Sequence, residues 1–68
     1  MSGREIATRI MAAWTDGNIR EAVRMWNVMY DTPMSCDERS SALASVTNEA
    51  VFGITDALRA EWYRRTFN

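Results

Sequence analysis

Histidine and lysine are both absent from this chain of 68 residues, and cysteine occurs once, as Cys36. Each absence closes a class of chemistry. Without histidine there is no Ser-His or Cys-His nucleophile pair and no histidine-bearing facial triad. Without lysine there is no Schiff base and no P-loop. A single thiol makes no internal disulfide. A four-ligand zinc site would have to be built almost wholly from carboxylates, which is not how structural zinc is held. The glycines Gly3, Gly17 and Gly53 are scattered, so no glycine-rich loop can cradle a phosphate. No segment reaches the roughly 18 apolar residues of a membrane span. The start, with Arg4, Glu5 and Arg9, has no signal-peptide core. A lone thiol suits a reducing compartment, and a cytoplasmic location is expected.

What is present is ordinary for a globular domain: 47% hydrophobic residues, 25% charged, and a formal charge of -1. A charge so near zero argues against a dedicated nucleic-acid binder, whose electrostatics need a basic surface, and against an acidic DNA mimic. All eight basic residues are arginine. Codon usage in a GC-rich genome explains that simply; selection for the planar guanidinium fork in interfaces is the functional alternative. Residues 1–68 make one domain. A chain of this size hides only about 60% of the surface that its unfolded form exposes, so tight packing and self-association must supply what disulfides and metals cannot.

Three helix starts are written in one pattern. Ser2-Gly3-Arg4-Glu5, Asn18-Ile19-Arg20-Glu21 and Ser35-Cys36-Asp37-Glu38 each set a capping side chain three residues before a glutamate. In a capping box the first side chain accepts from the third helical N–H while the glutamate reaches back to the cap's own N–H. The boxes recur, but the residues between them do not align, so no internal duplication is read.

Helix 1 is expected over about 3–15, with Ile6, Ala7, Ile10, Met11, Ala13 and Trp14 on one face. Asp16-Gly17 stops it and Asn18 caps the next helix at once, which makes a tight helix 1–helix 2 hairpin. Helix 2 is expected over about 19–30. Its apolar arc of Ile19, Ala22, Val23, Met25, Trp26, Met29 and Tyr30 is broad, with Val28 beyond it, so this helix is central or touches something outside its own chain. Asp31-Thr32-Pro33 ends it. Helix 3 is expected over about 36–65, with the stripe Leu43, Val46, Ala50, Ile54, Ala57 and Leu58. It either kinks at Gly53 or runs straight and projects. Phe52 points off the stripe, which suggests a second contact surface. The fold class is therefore all-α, a three-helix bundle in which the hairpin lies on a long third helix.

Catalysis is not expected. Two-carboxylate chemistry would have to use Asp37, Glu38, Glu49, Asp56 or Glu61, and helix-start electrostatics or a solvated face accounts for these. Cys36 lies at a helix start, which lowers a thiol pKa, but two acidic neighbours oppose that and a half-buried structural cysteine is expected. No cofactor and no metal are called for. A helix-turn-helix reading would send Asp37 and Glu38 toward phosphates. The better basic candidate is the C-terminal set Arg59, Arg64 and Arg65, interleaved with Trp62, Tyr63 and Phe67, which could stack single-stranded bases.

Protein recognition has the most support. Three tryptophans, two tyrosines, five methionines and eight arginines are rich in residue types enriched at interfaces. Met25, Val28 and Met29 on helix 2, with Phe52 and Trp62 on helix 3, form the expected protein-contact set. A homodimer is expected, pairing exposed parts of helix 2 and the second half of helix 3. The expected role is a non-catalytic binding, adaptor or inhibitor protein. In composition the chain is similar to small accessory proteins of phages or mobile elements that act on a host protein. The alternative is a small nucleic-acid-binding regulator using Arg59, Tyr63, Arg64 and Arg65.

Overall fold

A backbone N–H at the start of a helix has no partner within that helix, and this chain satisfies several with side chains. In the computed structural model, Ser2 Oγ accepts from the Glu5 N–H at 3.2 Å and Asn18 Oδ1 from the Glu21 N–H at 3.2 Å. Ser35 Oγ accepts from the Glu38 N–H at 3.1 Å. All three expected starts are real, but only half of each box closes. Glu5 accepts a hydrogen bond from the Ser2 hydroxyl at 3.4 Å, and Glu21 pairs with Arg24 at 2.7 Å. Glu38 reaches across the fold and accepts from the Gly3 N–H at 3.1 Å, so a carboxylate of one helix caps another.

The structure describes residues 1–67; the Phe67 side chain and Asn68 lie outside the described residues. The order is α1 (Gly3–Thr15), α2 (Ile19–Asp31), α3 (Cys36–Leu43) and α4 (Asn48–Phe67), with no strand among the described residues. The hairpin forms as expected. Gly17 sits at φ 73°, and the Asn18 N–H bonds to Ala13 O at 2.9 Å while the Gly17 N–H bonds to Trp14 O at 3.0 Å. Those two bonds are a Schellman motif, and the positive φ is why glycine stands there. At the far end of α2 the Thr32 N–H and hydroxyl both bond to Val28 O, at 2.9 and 2.7 Å. Arg39 then donates to Thr32 O at 3.2 Å and lies 5.6 Å over the Tyr30 ring, tying α3 to that corner.

The expected helix over 36–65 is two helices, which makes the bundle four-helical. The break falls between Leu43 and Asn48, not at Gly53. The Ala44 N–H still bonds back to Ser40 O, but the Ser45 and Val46 N–H groups close short bonds to Ala42 O and Leu43 O, each at 3.0 Å. Thr47 then starts α4, its Oγ1 accepting from the Ala50 N–H at 3.2 Å. A straight helix over 36–67 would run about 48 Å at 1.5 Å per residue; the longest dimension of the molecule is 37 Å. The turn lets α3 pack on α1 while α4 packs on α2.

The core is one cluster: Ile6, Ala7, Ile10 and Ala13 of α1, Ala22, Met25, Trp26 and Met29 of α2, Ala42 of α3, Val46 of the turn, and Ala50 and Ile54 of α4. Met11, Trp14, Leu43 and Leu58 close its margins. Helix α4 passes through Gly53 unbroken, because the glycine serves contact and not bending. A Cβ built there would fall inside the Trp14 indole, so the bare backbone of α4 is the seat of that ring.

Gly53→Ala tests this seat. On an open helix the change stabilises by about 1 kcal/mol; here overpacking is expected to destabilise by about 1–3 kcal/mol. In a Trp14→Ala background the same change should turn neutral or favourable. Urea melts of the four proteins check this, and additive effects would refute it. For the inter-helix cap, Glu38→Ala should cost about 1 kcal/mol by thermal melting and Glu38→Gln, which keeps an acceptor, less. A Glu38→Ala protein as stable as wild type would remove the cap from the account.

Candidate protein-binding surface

Helix α4 is held along one edge. Ala50 and Ile54 are fully buried, Leu58 is half-buried, and beyond it the helix carries Trp62, Tyr63, Arg64 and Arg65 in the open. Its residues therefore sort into an inner edge, two flanks and an outer face. One flank passes from Gly53 under Trp14 to Ala57 and Arg64, which share a groove with Ile19, Arg20 and Val23 of α2. On the other flank, Leu58, Glu61, Trp62 and Arg65 line a second groove with Asn27. Phe52, Asp56, Arg59 and Tyr63 follow one another on the outer face at spacings of four, three and four residues.

The aromatics of α4 are open to solvent to an unusual degree. Phe52 is 70% exposed and Trp62 59%. Trp62 and Tyr63 meet edge to face with centroids 5.4 Å apart. Ion pairs run along the same helix: Arg65 with Glu61 at 2.7 Å, and Arg59 with Asp56 at 4.0 Å. Two of the three arginines of the basic C-terminal set are thus engaged by carboxylates of their own helix.

Of the expected contact set, the structure leaves Phe52 and Trp62 at the surface and takes Met25 and Met29 away from it. Met25 is 1% exposed and Met29 0%. The broad apolar arc of α2 is broad because this helix is central, packing on both α1 and α4. Val28 is half-buried against the core. The large apolar side chains that α2 does expose are Ile19 and Tyr30. Tyr63 joins the surface from the other expected set, and the wheel places it in line with Phe52, whereas Trp62 lies on the flank beside Leu58. Cys36 is exposed, not half-buried.

The carboxylates considered for catalysis have structural duties: Glu38 caps α1, Glu61 and Asp56 pair with arginines, and Asp37 and Glu49 lie in first turns where the helix dipole favours them. Among the described residues no three Cys, Asp or Glu side chains gather where a metal could be held, and no helix is long and apolar enough to cross a membrane. A further concavity, between α1 and α2, is lined by Arg9, Asp16, Glu21 and Arg24. There the hydrogen bond and charge of Glu21 hold the Arg24 guanidinium above its ordinary pKa. Comparison with protein-family models, with curated proteins and with solved structures yields no match.

The three tryptophans differ in exposure, which gives a direct test of the surface. Trp26 is 9% exposed and Trp62 59%, with Trp14 between them. Acrylamide should quench mostly the Trp62 emission. Trp62→Phe is expected to remove the red-shifted, quenchable component, and Trp26→Phe to leave it. The opposite pattern would mean that α4 folds its end back onto the body.

Proposed function

We propose that this chain is a non-catalytic binding protein that acts by laying the exposed aromatic surface of α4 against another protein. The observation that carries the reading is the exposure of Phe52 and Trp62 on a helix anchored along its inner edge by the buried Ala50 and Ile54. Burying a large aromatic is worth about 1.5–3 kcal/mol, so leaving two in water forgoes stability that a small chain needs. Contact with a partner recovers it. A helix already anchored along one edge also loses little conformational freedom on binding, which favours affinity. Aromatic and arginine side chains together match the composition of interface hot spots. The compositional likeness to accessory proteins of phages and mobile elements makes a host protein the partner to look for first, with inhibition or redirection as the mode of action.

Affinity capture from a lysate of the source cells, with wild type and Phe52→Ser/Trp62→Ser as paired baits, tests the reading. Both positions are exposed, so the double variant should keep its helical circular dichroism. Proteins held by wild type and lost by the variant, with retention almost indifferent to salt between about 0.05 and 0.5 M, are expected. Retention unchanged by the double substitution would overturn the reading. Steep loss with salt, with nucleic acid in the retained fraction, would move it to Arg59, Tyr63, Arg64 and Arg65.

A further inference from the structure

An interface between two identical chains related by a two-fold axis must be complementary to itself, with residue i meeting j while j meets i. The outer face of α4 has that property. Reversing the helix about the midpoint between Ala57 and Leu58 carries Phe52 onto Tyr63 and Asp56 onto Arg59. It also carries Glu49 onto Thr66. We infer that α4 pairs through this face with α4 of a second copy, antiparallel and two-fold symmetric, with Phe52 against the partner's Tyr63 and Asp56 against the partner's Arg59. The inference rests on the protein-binding reading and names one partner for the outer face.

Several observations bear on it independently. All four residues are exposed: Phe52 70%, Tyr63 50%, and the Arg59 and Asp56 side chains 69% and 75%. Their alternation of four, three and four residues is the seam spacing by which two helices stay in contact along their length. The face lies opposite Ala50 and Ile54, so a second copy can approach without displacing any core residue. The charges decide the direction. A parallel pair would set Asp56 against Asp56 and Arg59 against Arg59, while the antiparallel pair sets unlike charges together twice. It also opposes the two helix dipoles. The Asp56–Arg59 pair within one chain is loose, at 4.0 Å, so each side chain can turn to its counterpart across the seam. From Phe52 to Tyr63 the seam is about 16 Å long at 1.5 Å per residue. That is a small contact, so the dimer is weak and depends on concentration. Trp62 stays outside the seam, on the flank beside Leu58 and Asn27.

A charge exchange tests the pairing. Sedimentation velocity and light scattering, from micromolar to millimolar protein, would follow wild type, Asp56→Arg, Arg59→Asp and the double exchange. Both substituted positions are solvated, and circular dichroism verifies the fold of each variant. Wild type is expected to rise with concentration from the 7.8 kDa of one chain toward twice that mass. Each single exchange places like charges together at two points of the seam and should weaken association about tenfold or more. The double exchange, Asp56→Arg with Arg59→Asp, restores unlike pairs and should recover association to within about threefold. A wild type that stays at one-chain mass throughout overturns the pairing, as do single exchanges without effect or a double exchange no better than the singles. Capture by the Phe52→Ser/Trp62→Ser bait reads a different event. A monomer whose captured proteins still vanish with that bait sinks the seam alone, whereas a charge-dependent dimer that captures nothing supports the seam and counts against a host partner.

Discussion

The turn from Ala44 to Thr47 is the constraint on which the rest of this structure depends. Four residues convert what would be a rod into two helices that serve different neighbours, α3 on α1 and α4 on α2. The turn is built with little: two short backbone bonds, the Thr47 hydroxyl on the Ala50 N–H, and Val46 buried at 5% exposure as its apolar anchor. Val46 and Val51 stand at the positions flanking a helix start where an apolar staple forms. With the turn in place, Glu38 reaches the start of α1 and Trp14 reaches Gly53. The cap and the seat close opposite ends of one core.

Most of that core is legible in the sequence, because helical periodicity and capping chemistry are local. The face read for helix 1 is the face that α1 buries, and Ala22, Met25, Trp26 and Met29 are the inner residues of α2. The break before α4 is hidden for a physical reason. Leu43, Val46, Ala50 and Ile54 keep a spacing of three and four residues straight across the turn, so the apolar stripe runs on although the helix does not. The signal that marks it is Thr47-Asn48-Glu49, a cap followed by an acid in the first turn, but position 50 holds alanine and the box is incomplete. Glu38 shows the converse limit. Its place in a box is local information; its bond to Gly3 is tertiary.

The same distinction governs the surface. The breadth of the α2 arc was a sound sign of many neighbours, but periodicity cannot say whether those neighbours lie within the chain. Here they do, and Met25 and Met29 are buried in the core, a use to which the flexible thioether side chain is suited. Phe52 is the opposite case. It stands against the stripe of its own helix, and among the described residues no element covers that side. An aromatic that breaks its own helix's pattern is therefore a better pointer to outside contact than one that extends an apolar arc.

Helix α4 has to do two things with one backbone. Its first turns are fixed by Ala50 and Ile54 and by the Trp14 ring seated on Gly53; its last turns have only the half-buried Leu58 and Glu61 behind them. Isolated helices shorter than about 12–15 residues are marginal in water, so the C-terminal half would fray if it stood alone. Continuity with the anchored half removes the nucleation cost, and the Glu61–Arg65 and Asp56–Arg59 pairs add support of the kind that i,i+3 and i,i+4 charges give. Arg64 and Arg65 also sit where the helix dipole favours cations. The charges that maintain the helix are therefore among those that lie on its exposed faces. A partner that draws Asp56 or Arg59 into a new pair takes away a weak exposed contact and replaces it with one in a drier setting. The helix loses little support as the contact forms, which is the condition under which so small a protein can use part of its own scaffold as its surface.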